Sequence, residues 1–306
     1  MNFCYFFNTT NWTHKPYYQL LDETKDITTY CDNNKWKSIW FTEHHFNHEG
    51  MESCTNPLML GADASARTKN IRIGQAANII TFHNPIRLAE DIAMLDQMSN
   101  GRIEFGIGRG IYGREAINMN IEADLKDQAK NFRLFEETLT IIKKAWTEDF
   151  FNHKGEFYTY PTPNFVWQHD MSPPSDKFLD LKTNEIKKIS VVPKPFQKPH
   201  PPIILGGAAG PKTMNDIIEY CDGFMPISGR YDFAEQITTL KQMASEDGRD
   251  PDSFDFGQFG TPPKAEIVDG LIEAGCNRIV FTLPPADADT VIPKLDQISE
   301  FKDQYN

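Results

Sequence analysis

The sequence predicts a TIM-type (β/α)₈ barrel, an α/β fold in which eight parallel strands alternate with helices. Short apolar runs that are typical of strands alternate with longer runs that are typical of helices along the 306 residues. Eight of the short runs are predicted to be strands. This length is compatible with a single barrel domain that covers residues 1–306. The predicted strands are Phe3–Phe7, Ser38–Thr42, Ile71–Ile80, Arg102–Ile107, Pro202–Leu205, Gly223–Pro226, Phe254–Phe259 and Arg278–Leu283.

The helices between the strands carry clear signals. Asn84 and Pro85 supply an N-cap and a first-turn proline for one helix, and Asn100-Gly101 ends it. Apolar stripes at helical spacing in this helix and the next indicate core that packs against the barrel. The stripes are Leu88, Ile92 and Leu95, then Phe132, Phe135, Leu139, Ile142 and Trp146, and further helices are predicted over Pro211–Cys221, Tyr231–Ser245, Lys264–Ala274 and Ala288–Phe301.

One segment, residues 151–201, interrupts the alternation. It is rich in proline, and it also carries aromatic residues such as Tyr160, Phe165 and Trp167. Long connections of this kind are usually functional or disordered, and the aromatic content favours an ordered insertion between the fourth helix and the fifth strand. We interpret it as a segment over or beside the barrel mouth, either a lid or, alternatively, a structural brace or dimer contact.

The composition excludes several classes of function. A formal net charge of -12 argues against a nucleic-acid partner, because phosphate backbones require a basic surface. No run approaches the roughly 20 apolar residues that span a bilayer, so no membrane partner is expected. The five cysteines are widely spaced without a CxxC pair, which predicts neither a disulfide framework nor a zinc site. Reduced thiols and the lack of an export signal indicate the cytoplasm.

Candidate functional residues follow the predicted strands, where barrel enzymes carry their catalytic groups. These segments are polar or rich in glycine, and we expect a cofactor at the rim that they form. They are Glu43-His44-His45, Ala76-Ala77-Asn78, Gly106–Gly110, Gly206–Gly210 and Ser228-Gly229-Arg230.

The fifth of the predicted strands leads into a loop that suits a phosphate group. Glycines let backbone N–H groups approach an anion, and the start of the next helix favours negative charge. Arg109 adds a forked cation for the same phosphate. A tight turn without a ligand, and a surface ion pair for Arg109, are the alternatives. The loop residues concerned are Gly206, Gly207, Ala208 and Gly210.

Two other site types are weakly indicated. Gly106, Gly108 and Gly110 resemble a dinucleotide fingerprint only superficially, because three strands precede them and the next clear helix begins near Asp127. His44 and His48 have a metal-like spacing, but His44 follows a strand, and we predict no metal site. His44 is either a buried structural histidine or a base beside a cofactor.

Several of these motifs resemble the luciferase-like monooxygenase family. The similarity is specific over about Ser38–Tyr112 and looser in the second half, where it extends to deazaflavin-dependent members. The stretches that carry it are Trp40–Phe46 with Asn56-Pro57, Asn84–Asp91 continuing through Leu95–Arg102, Arg109–Tyr112, Pro193–Gly207 and Asp222–Phe224.

The resemblance implies a TIM barrel that binds reduced flavin (FMN) as a diffusing substrate, forms a dimer and reacts with O₂ through a flavin C4a-peroxide. His44 matches the catalytic histidine, and Ala76-Ala77 matches a non-proline cis peptide under the flavin ring. Arg109 matches a phosphate-binding arginine, and Gly207 with its neighbours takes the place of the phosphate loop. Asn78 and Tyr112 are expected to line the ring pocket.

The sequence also departs from the luciferases. Gly108 stands where luciferases carry a reactive cysteine, and Asn84 stands where they carry a histidine. The phosphate loop has no hydroxyl side chains. Light emission from a long-chain aldehyde is therefore not the expected activity.

We therefore expect a monooxygenase that uses reduced FMN from a separate flavin reductase, and O₂, to oxidise a small organic substrate. One alternative is an F420-dependent oxidoreductase that transfers hydride on the same barrel. The other is a non-catalytic flavin-binding protein, against which the presence of His44 speaks. The sequence does not identify the organic substrate.

Overall fold

The computed structural model describes residues 1–51, 53–168, 173–229 and 232–305. The chain divides into two compact units. The barrel unit comprises Met1–Ile79, Met98–Gly108 and Pro201–Asn306, and the flanking unit comprises Ile80–Gln97 and Arg109–His200. The sequence-based expectations for Arg230, and for a helix that begins at Tyr231, concern residues outside the described ranges. The prediction of one domain over 1–306 stays a prediction.

The strands are numbered in chain order, and those outside β6–β9 build the barrel. The first five are β1 (Asn2–Phe6), β2 (Ser38–Phe41), β3 (Arg72–Gln75), β4 (Asn78–Ile79) and β5 (Ile103–Gly108). The flanking unit contains β6 (His153–Lys154), β7 (Thr159–Tyr160), β8 (Leu179–Asp180) and β9 (Glu185–Ile186). The last four are β10 (Ile203–Gly206), β11 (Gly223–Met225), β12 (Asp255–Phe259) and β13 (Arg278–Thr282).

The barrel strands form a closed parallel ring, which confirms the predicted TIM-type (β/α)₈ fold. Its order is β1, β2, β3, β5, β10, β11, β12, β13 and back to β1, and β4 continues the position of β3 beside β5. The pairing of Ile204 with Gly106 contributes to the closure between β10 and β5. Each predicted strand is found with its ends shifted by at most one residue, except that Ile71–Ile80 is interrupted at Ala76-Ala77. That peptide bond is cis, as the family resemblance implied.

A buried apolar cluster identifies the inward face of the strands. Cys4, Trp40, Ile204, Met225 and Val280 pack together although β2 and β11 stand on opposite sides of the ring. Side chains from opposite strands of a closed barrel meet only in its interior. Because successive side chains of a strand alternate between faces, these residues define which positions point inward.

Trp40 fills the interior because glycine occupies the facing positions of nearby strands. A Cβ atom at Gly74 would lie 2.4 Å from Trp40 Cε3, and one at Gly106 would lie 1.6 Å from the Gln75 carbonyl oxygen. Neither position accommodates a side chain. The indole Nε1 donates a hydrogen bond of 2.7 Å to Ser38 Oγ, which fixes the ring.

A buried ionic network occupies the N-terminal end of the barrel interior. The Arg278 guanidinium donates to both Glu104 oxygens, at 2.8 and 2.9 Å, and to Ser38 Oγ at 2.9 Å. Arg72 Nε donates to Glu104 at 2.8 Å, and Asp255 also accepts from Arg278. Burial raises the pKa of Glu104, but Arg278 and Arg72 lower it more, so the net pKa is below its usual value.

The helices of the barrel unit follow its strands. They include two that the sequence analysis did not specify, α1 (Tyr17–Asn33) and α2 (Pro57–Arg67). The flanking unit contains most of α3 (Pro85–Met98), then α4 (Gly113–Met119), which was also not specified, and α5 (Gln128–Thr147). The remaining helices are α6 (Pro211–Tyr220), α7 (Phe233–Glu246), α8 (Ala265–Glu273) and α9 (Ala288–Lys302).

The predicted ends of α3 are confirmed in detail. Asn84 Oδ1 accepts from the backbone N–H groups of Ile86 and Arg87 at 3.0 and 3.1 Å, so it is the N-cap. After the helix, Asn100 and Gly101 have φ values of 54° and 78°, the left-handed conformation that ends many helices. In the part of the chain that the structure describes, no helix is both long and apolar enough to cross a membrane.

The segment 151–201 contains short antiparallel strands that its sequence did not predict. Strands β6 and β7 pair with each other, as do β8 and β9. The turn between β6 and β7 is held by Glu137 of α5, whose carboxylate accepts from the backbone N–H groups of Glu156, Phe157 and Tyr158 at 2.9 to 3.0 Å. The expected location of 151–201 over or beside the barrel mouth stays a prediction.

Candidate active site

The C-terminal mouth of the barrel is lined by the last inward-facing residue of each strand. The register pairs Phe6 with Thr282, and Gly206 with Met225, so these residues share the inward face. Phe6, Ala76 and Phe259 are partly buried and pack on the apolar cluster around Trp40. The cluster around Trp40 is thus the floor of the mouth, and these three partly buried residues lie directly on it.

One side of this mouth is lined mainly by glycine and alanine. Ala76, Gly108 and Gly206 are the inward-facing terminal residues at three neighbouring positions of the ring. A Cβ at Gly108 would lie 3.3 Å from the Ala77 methyl group and 3.3 Å from Ile79 Cδ1, whereas a Cβ at Gly206 would meet nothing closer than 3.8 Å. We call Ala76, Ala77, Gly108 and Gly206 the small-residue shelf. Ala76, Ala77 and Gly206 are partly exposed, whereas Gly108 is buried, so the shelf presents mainly backbone and methyl groups to a flat ring.

His44 follows β2 at the same end of the barrel. Its backbone N–H donates to the Cys54 carbonyl oxygen at 2.8 Å, and the residue is 9% exposed. Its neighbour Glu43 is buried and bridges two segments, since Oε2 accepts from Ile79 N–H at 2.7 Å and Oε1 lies 3.1 Å from His45 Nε2. Glu43 thereby ties the His44 segment to β4, the strand that follows Ala77.

The loop after β10 has the properties expected of a phosphate loop, apart from hydroxyl side chains. Gly207 has a φ of 114°, and Gly210 is the N-cap of α6, with Pro211 in the first turn. No heavy atom lies within 4 Å of a Cβ built at Gly207 or at Gly210. Ala208 is exposed. The loop therefore leaves its own backbone and the start of α6 accessible to an anion.

Arg109 and Tyr112 belong to the flanking unit, where Arg109 has a defined position. Its Nη1 donates to Asn131 Oδ1 at 2.8 Å, and its guanidinium carbon lies 3.5 Å from the centroid of the Phe132 ring. Hydrogen bonding and cation–π stacking on α5 hold this side chain. Tyr112 is the N-cap residue of α4 and is 37% exposed.

Asn78 lies on the outward face of its strand. It pairs with Ile107, whereas its neighbour Ile79 pairs with inward-facing Gly108. Its side-chain amide donates to Gln75 Oε1 at 3.1 Å. Gln75 Nε2 and Asn78 Oδ1 are both buried and have no hydrogen-bond partner among the residues that the structure describes. The assignment of Asn78 to the ring pocket stays a prediction.

Sequence reasoning missed the aromatic residues of the mouth. Phe6 and Phe259 were assigned to strands without a role, and in the structure they are the last residues of β1 and β12. Their inward direction depends on the strand register, which the sequence does not specify. Glu43 was also given no separate role. Within the described ranges, no group of three His, Cys, Asp or Glu residues is arranged to hold a metal ion.

Comparisons with known proteins agree with this architecture. The oxygenase component of the flavin-dependent trigonelline monooxygenase of Acinetobacter baylyi is 31% identical over 185 residues, which are 60% of this chain and 42% of that protein. This chain thus spans less than half the length of that relative.

Two solved structures share the fold at low identity. An F420-dependent secondary alcohol dehydrogenase, in complex with an F420-acetone adduct, has a TM-score of 0.70 at 15% identity and covers 97% of both chains. The oxygenating constituent of 3,6-diketocamphane monooxygenase from Pseudomonas putida, in complex with FMN, has a TM-score of 0.66 at 21% identity, over 85% of this chain and 67% of that one. These identities support the fold alone.

The assignment of this chain to a family rests on a match over most of its length. The sequence model of the luciferase-like monooxygenases matches residues 1–263, which include the His44 segment, the shelf and the loop after β10. The family and the enzyme class that the motifs indicated are confirmed. This chain belongs to the luciferase-like monooxygenase family of flavin-dependent enzymes.

Proposed function

We propose that this protein is a monooxygenase that uses reduced FMN and O₂ to oxidise a small organic substrate. The small-residue shelf is the observation that supports this most directly. Around β3, β5 and β10 the mouth is lined mainly by alanine and glycine, with Ile79 beside Gly108, and Ala76 packs on the Trp40 cluster below. A planar isoalloxazine ring matches such a surface, because its face needs close contact without intruding side chains.

The residues of this chain fit a bound flavin mononucleotide. The shelf residues Ala76, Ala77 and Gly206 would contact the ring, and the backbone of Gly207–Gly210 would bind the phosphate. Family resemblance, rather than any distance given above, assigns Arg109 to the same phosphate. Tyr112 and the backbone of Asn78 are further proposed ring contacts. Reduced flavin supplies the electrons with which O₂ is activated.

His44 is the proposed acid–base residue. Its main chain is fixed by the Cys54 carbonyl oxygen, and Glu43 fixes the adjoining segment through Ile79 and His45. A histidine held in this manner can take up or release a proton near neutral pH without moving its backbone. We assign His44 the transfer of the proton that the oxidation of the substrate requires.

The remaining partners are part of the same proposal. The name of the trigonelline relative, an oxygenase component, supports a separate reductase as the source of reduced FMN. We propose a homodimer that works in the cytoplasm, where the five cysteines, all free and buried, would stay reduced. The insertion 151–201 is proposed to cover or flank the mouth.

The F420-dependent alternative is supported by the fold shared with the secondary alcohol dehydrogenase. The two functions are separated by equilibrium titration of the protein with reduced FMN and with reduced F420 under anaerobic conditions. We expect reduced FMN to bind more tightly. Tighter binding of reduced F420, followed by hydride transfer without O₂ consumption, would establish the alternative.

A second experiment tests the oxygenase reaction itself. With a reductase supplying FMNH₂ and a panel of small organic compounds, ¹⁸O₂ should yield a product that contains one labelled oxygen atom. His44→Ala should abolish this product while reduced FMN still binds. Tight flavin binding without any labelled product would instead support the non-catalytic flavin-binding protein.

A further inference from the structure

We propose that the mouth of the barrel has a second, apolar half that binds the organic substrate, and that this substrate is uncharged and apolar in the part that enters the barrel. This inference rests on the proposed function, because it assigns the flavin to the shelf. The apolar half is defined as the inward-facing ends of β12, β13 and β1, namely Phe259, Thr282 and Phe6, together with Ile227 after β11.

The aromatic residues of this half form a preorganised surface. The rings of Phe6 and Phe259 meet edge to face, with centroids 4.4 Å apart and an interplanar angle of 87°. Both residues are partly buried and pack on the interior cluster. Ile227, which is 36% exposed, is held beside them by a backbone bridge to Phe259. An apolar ring or short hydrocarbon can cover these groups without any rearrangement.

The apolar half is continuous around the ring. Strands β11, β12, β13 and β1 are consecutive neighbours, and the shelf occupies the consecutive positions β3, β5 and β10. The mouth is therefore divided between a side that exposes backbone and a side that exposes aromatic and aliphatic side chains. A flavin on the first side would leave the second side available for a substrate.

The chain directly after each of these four strands is uncharged for four residues. The first four residues after each strand end contain no Asp, Glu, Lys or Arg. The segments are 7–10, 226–229, 260–263 and 283–286. A carboxylate or ammonium group placed here would lose its hydration without gaining a counter-charge from these segments, which is unfavourable. By contrast, Glu43 follows β2 and Arg109 follows β5 closely.

The proposal is tested by comparing two probes that differ mainly in charge. Binding of 4-fluorobenzaldehyde and of 4-fluorobenzoate to the protein, saturated with oxidised FMN, is measured by ¹⁹F NMR. We expect the neutral aldehyde to bind at least tenfold more tightly than the carboxylate. Equal or tighter binding of the carboxylate would overturn the proposal, as would the absence of measurable binding by either probe.

Substitutions locate the probe. Phe259→Leu and Phe6→Leu should each weaken aldehyde binding about 2- to 12-fold, the equivalent of one lost aromatic pair. The control Phe301→Leu removes a half-buried ring from α9 and should leave aldehyde binding unchanged. Equal binding by all four proteins would contradict the assignment of Phe6 and Phe259 to the site.

Arg230 is also substituted, because it is the charged residue that directly follows the uncharged segment 226–229. It lies outside the described residues. The variant Arg230→Gln should leave aldehyde binding unchanged, and a tenfold loss would contradict an uncharged apolar half. Titration of the same variants with reduced FMN reports separately on the proposed function. The probe titration is therefore repeated without FMN, and a protein that binds the aldehyde selectively but does not bind FMN would retain the apolar half and refute the flavin assignment.

Discussion

The small-residue shelf makes a sharp prediction for Gly206→Ala. Gly206 is the inward-facing end of β10, and the added methyl group would lie 3.8 Å from the Ile107 carbonyl oxygen and 3.9 Å from that of Met225. These are ordinary van der Waals distances, so the folded protein accommodates the change. The free energy of unfolding should therefore stay within about 0.5 kcal/mol of the wild-type value.

The same methyl group should nevertheless weaken the binding of reduced FMN. It projects from the shelf into the space assigned to the ring, and an extra methyl group in a close-packed contact costs about 1–3 kcal/mol. At about 1.4 kcal/mol per tenfold change, the dissociation constant should rise roughly 5- to 150-fold. Anaerobic fluorescence titration measures this constant, and urea denaturation of the same sample measures stability.

Gly270→Ala is the matched control for this experiment. Gly270 lies in α8 with no atom within 4 Å of an added Cβ, so the change should stabilise the helix slightly and leave FMN binding unaffected. If Gly206→Ala binds reduced FMN within twofold of the wild type, the ring does not lie on the shelf. The central argument for the proposed function would then be lost.

Four further predictions concern charged groups. Arg278→Met leaves buried Glu104 without its main partner and should lower the free energy of unfolding by about 3–5 kcal/mol in urea titrations. The exposed Arg67→Met is the control and should change stability little, and equal effects of the two substitutions would contradict the buried network. The folded-state pKa of Glu104 lies below its ordinary value of 4.5. Its contribution to the free energy of unfolding is therefore complete above that pH and should disappear on acidification through the folded pKa. Glu104→Gln should lack this part of the pH dependence of the free energy of unfolding. Glu137→Ala leaves three backbone N–H groups without their acceptor, so limited proteolysis between β6 and β7 should become faster, and an unchanged rate would show that other contacts hold the turn. Arg109→Gln should weaken FMN at least tenfold but riboflavin hardly at all, since only FMN carries the phosphate, and equal losses would rule out a phosphate contact.

The sequence predicts the barrel well because its strands are short, largely apolar and largely buried. Each strand of a closed barrel with helices outside it is covered on both faces, so it appears as a continuous apolar run. The helices α1 and α2 lack an equally clear signal. The buried face of α1 includes Thr24, Thr28 and Cys31, and that of α2 includes Gly61 and Ala64. Small or polar residues at these buried positions leave no apolar stripe to recognise.

The structure of segment 151–201 depends on contacts that are distant in sequence. Its strands have two residues each, too few for a periodic pattern. The turn at 156–158 is held by Glu137, about 20 residues earlier in the chain. A carboxylate on the surface of a predicted helix gives no indication that it will accept three backbone hydrogen bonds. Local patterns therefore indicate an ordered segment but not its fold.

The candidate site was predictable only in part, for a geometric reason. His44, Ala76-Ala77 and the loop at Gly207 were found from their positions after strands and from family resemblance. The apolar half could be identified only from the strand register, because a shift of one residue would turn the side chain of Phe6 or Phe259 outward. The direction of the Asn78 side chain also depends on the register, because β4 does not continue the alternation of β3 after the Ala76-Ala77 peptide.

The floor of the mouth connects the site to the ionic network at the other end of the barrel. Trp40 supports the mouth, its Nε1 donates to Ser38 Oγ, and the same oxygen accepts from Arg278. The Trp40 ring lies so close to Gly74 that no side chain at position 74 could help to hold the indole. The orientation of the ring therefore depends on a polar contact that Arg278 helps to fix. The charged network thus stabilises the barrel and also maintains the surface on which flavin and substrate are proposed to bind.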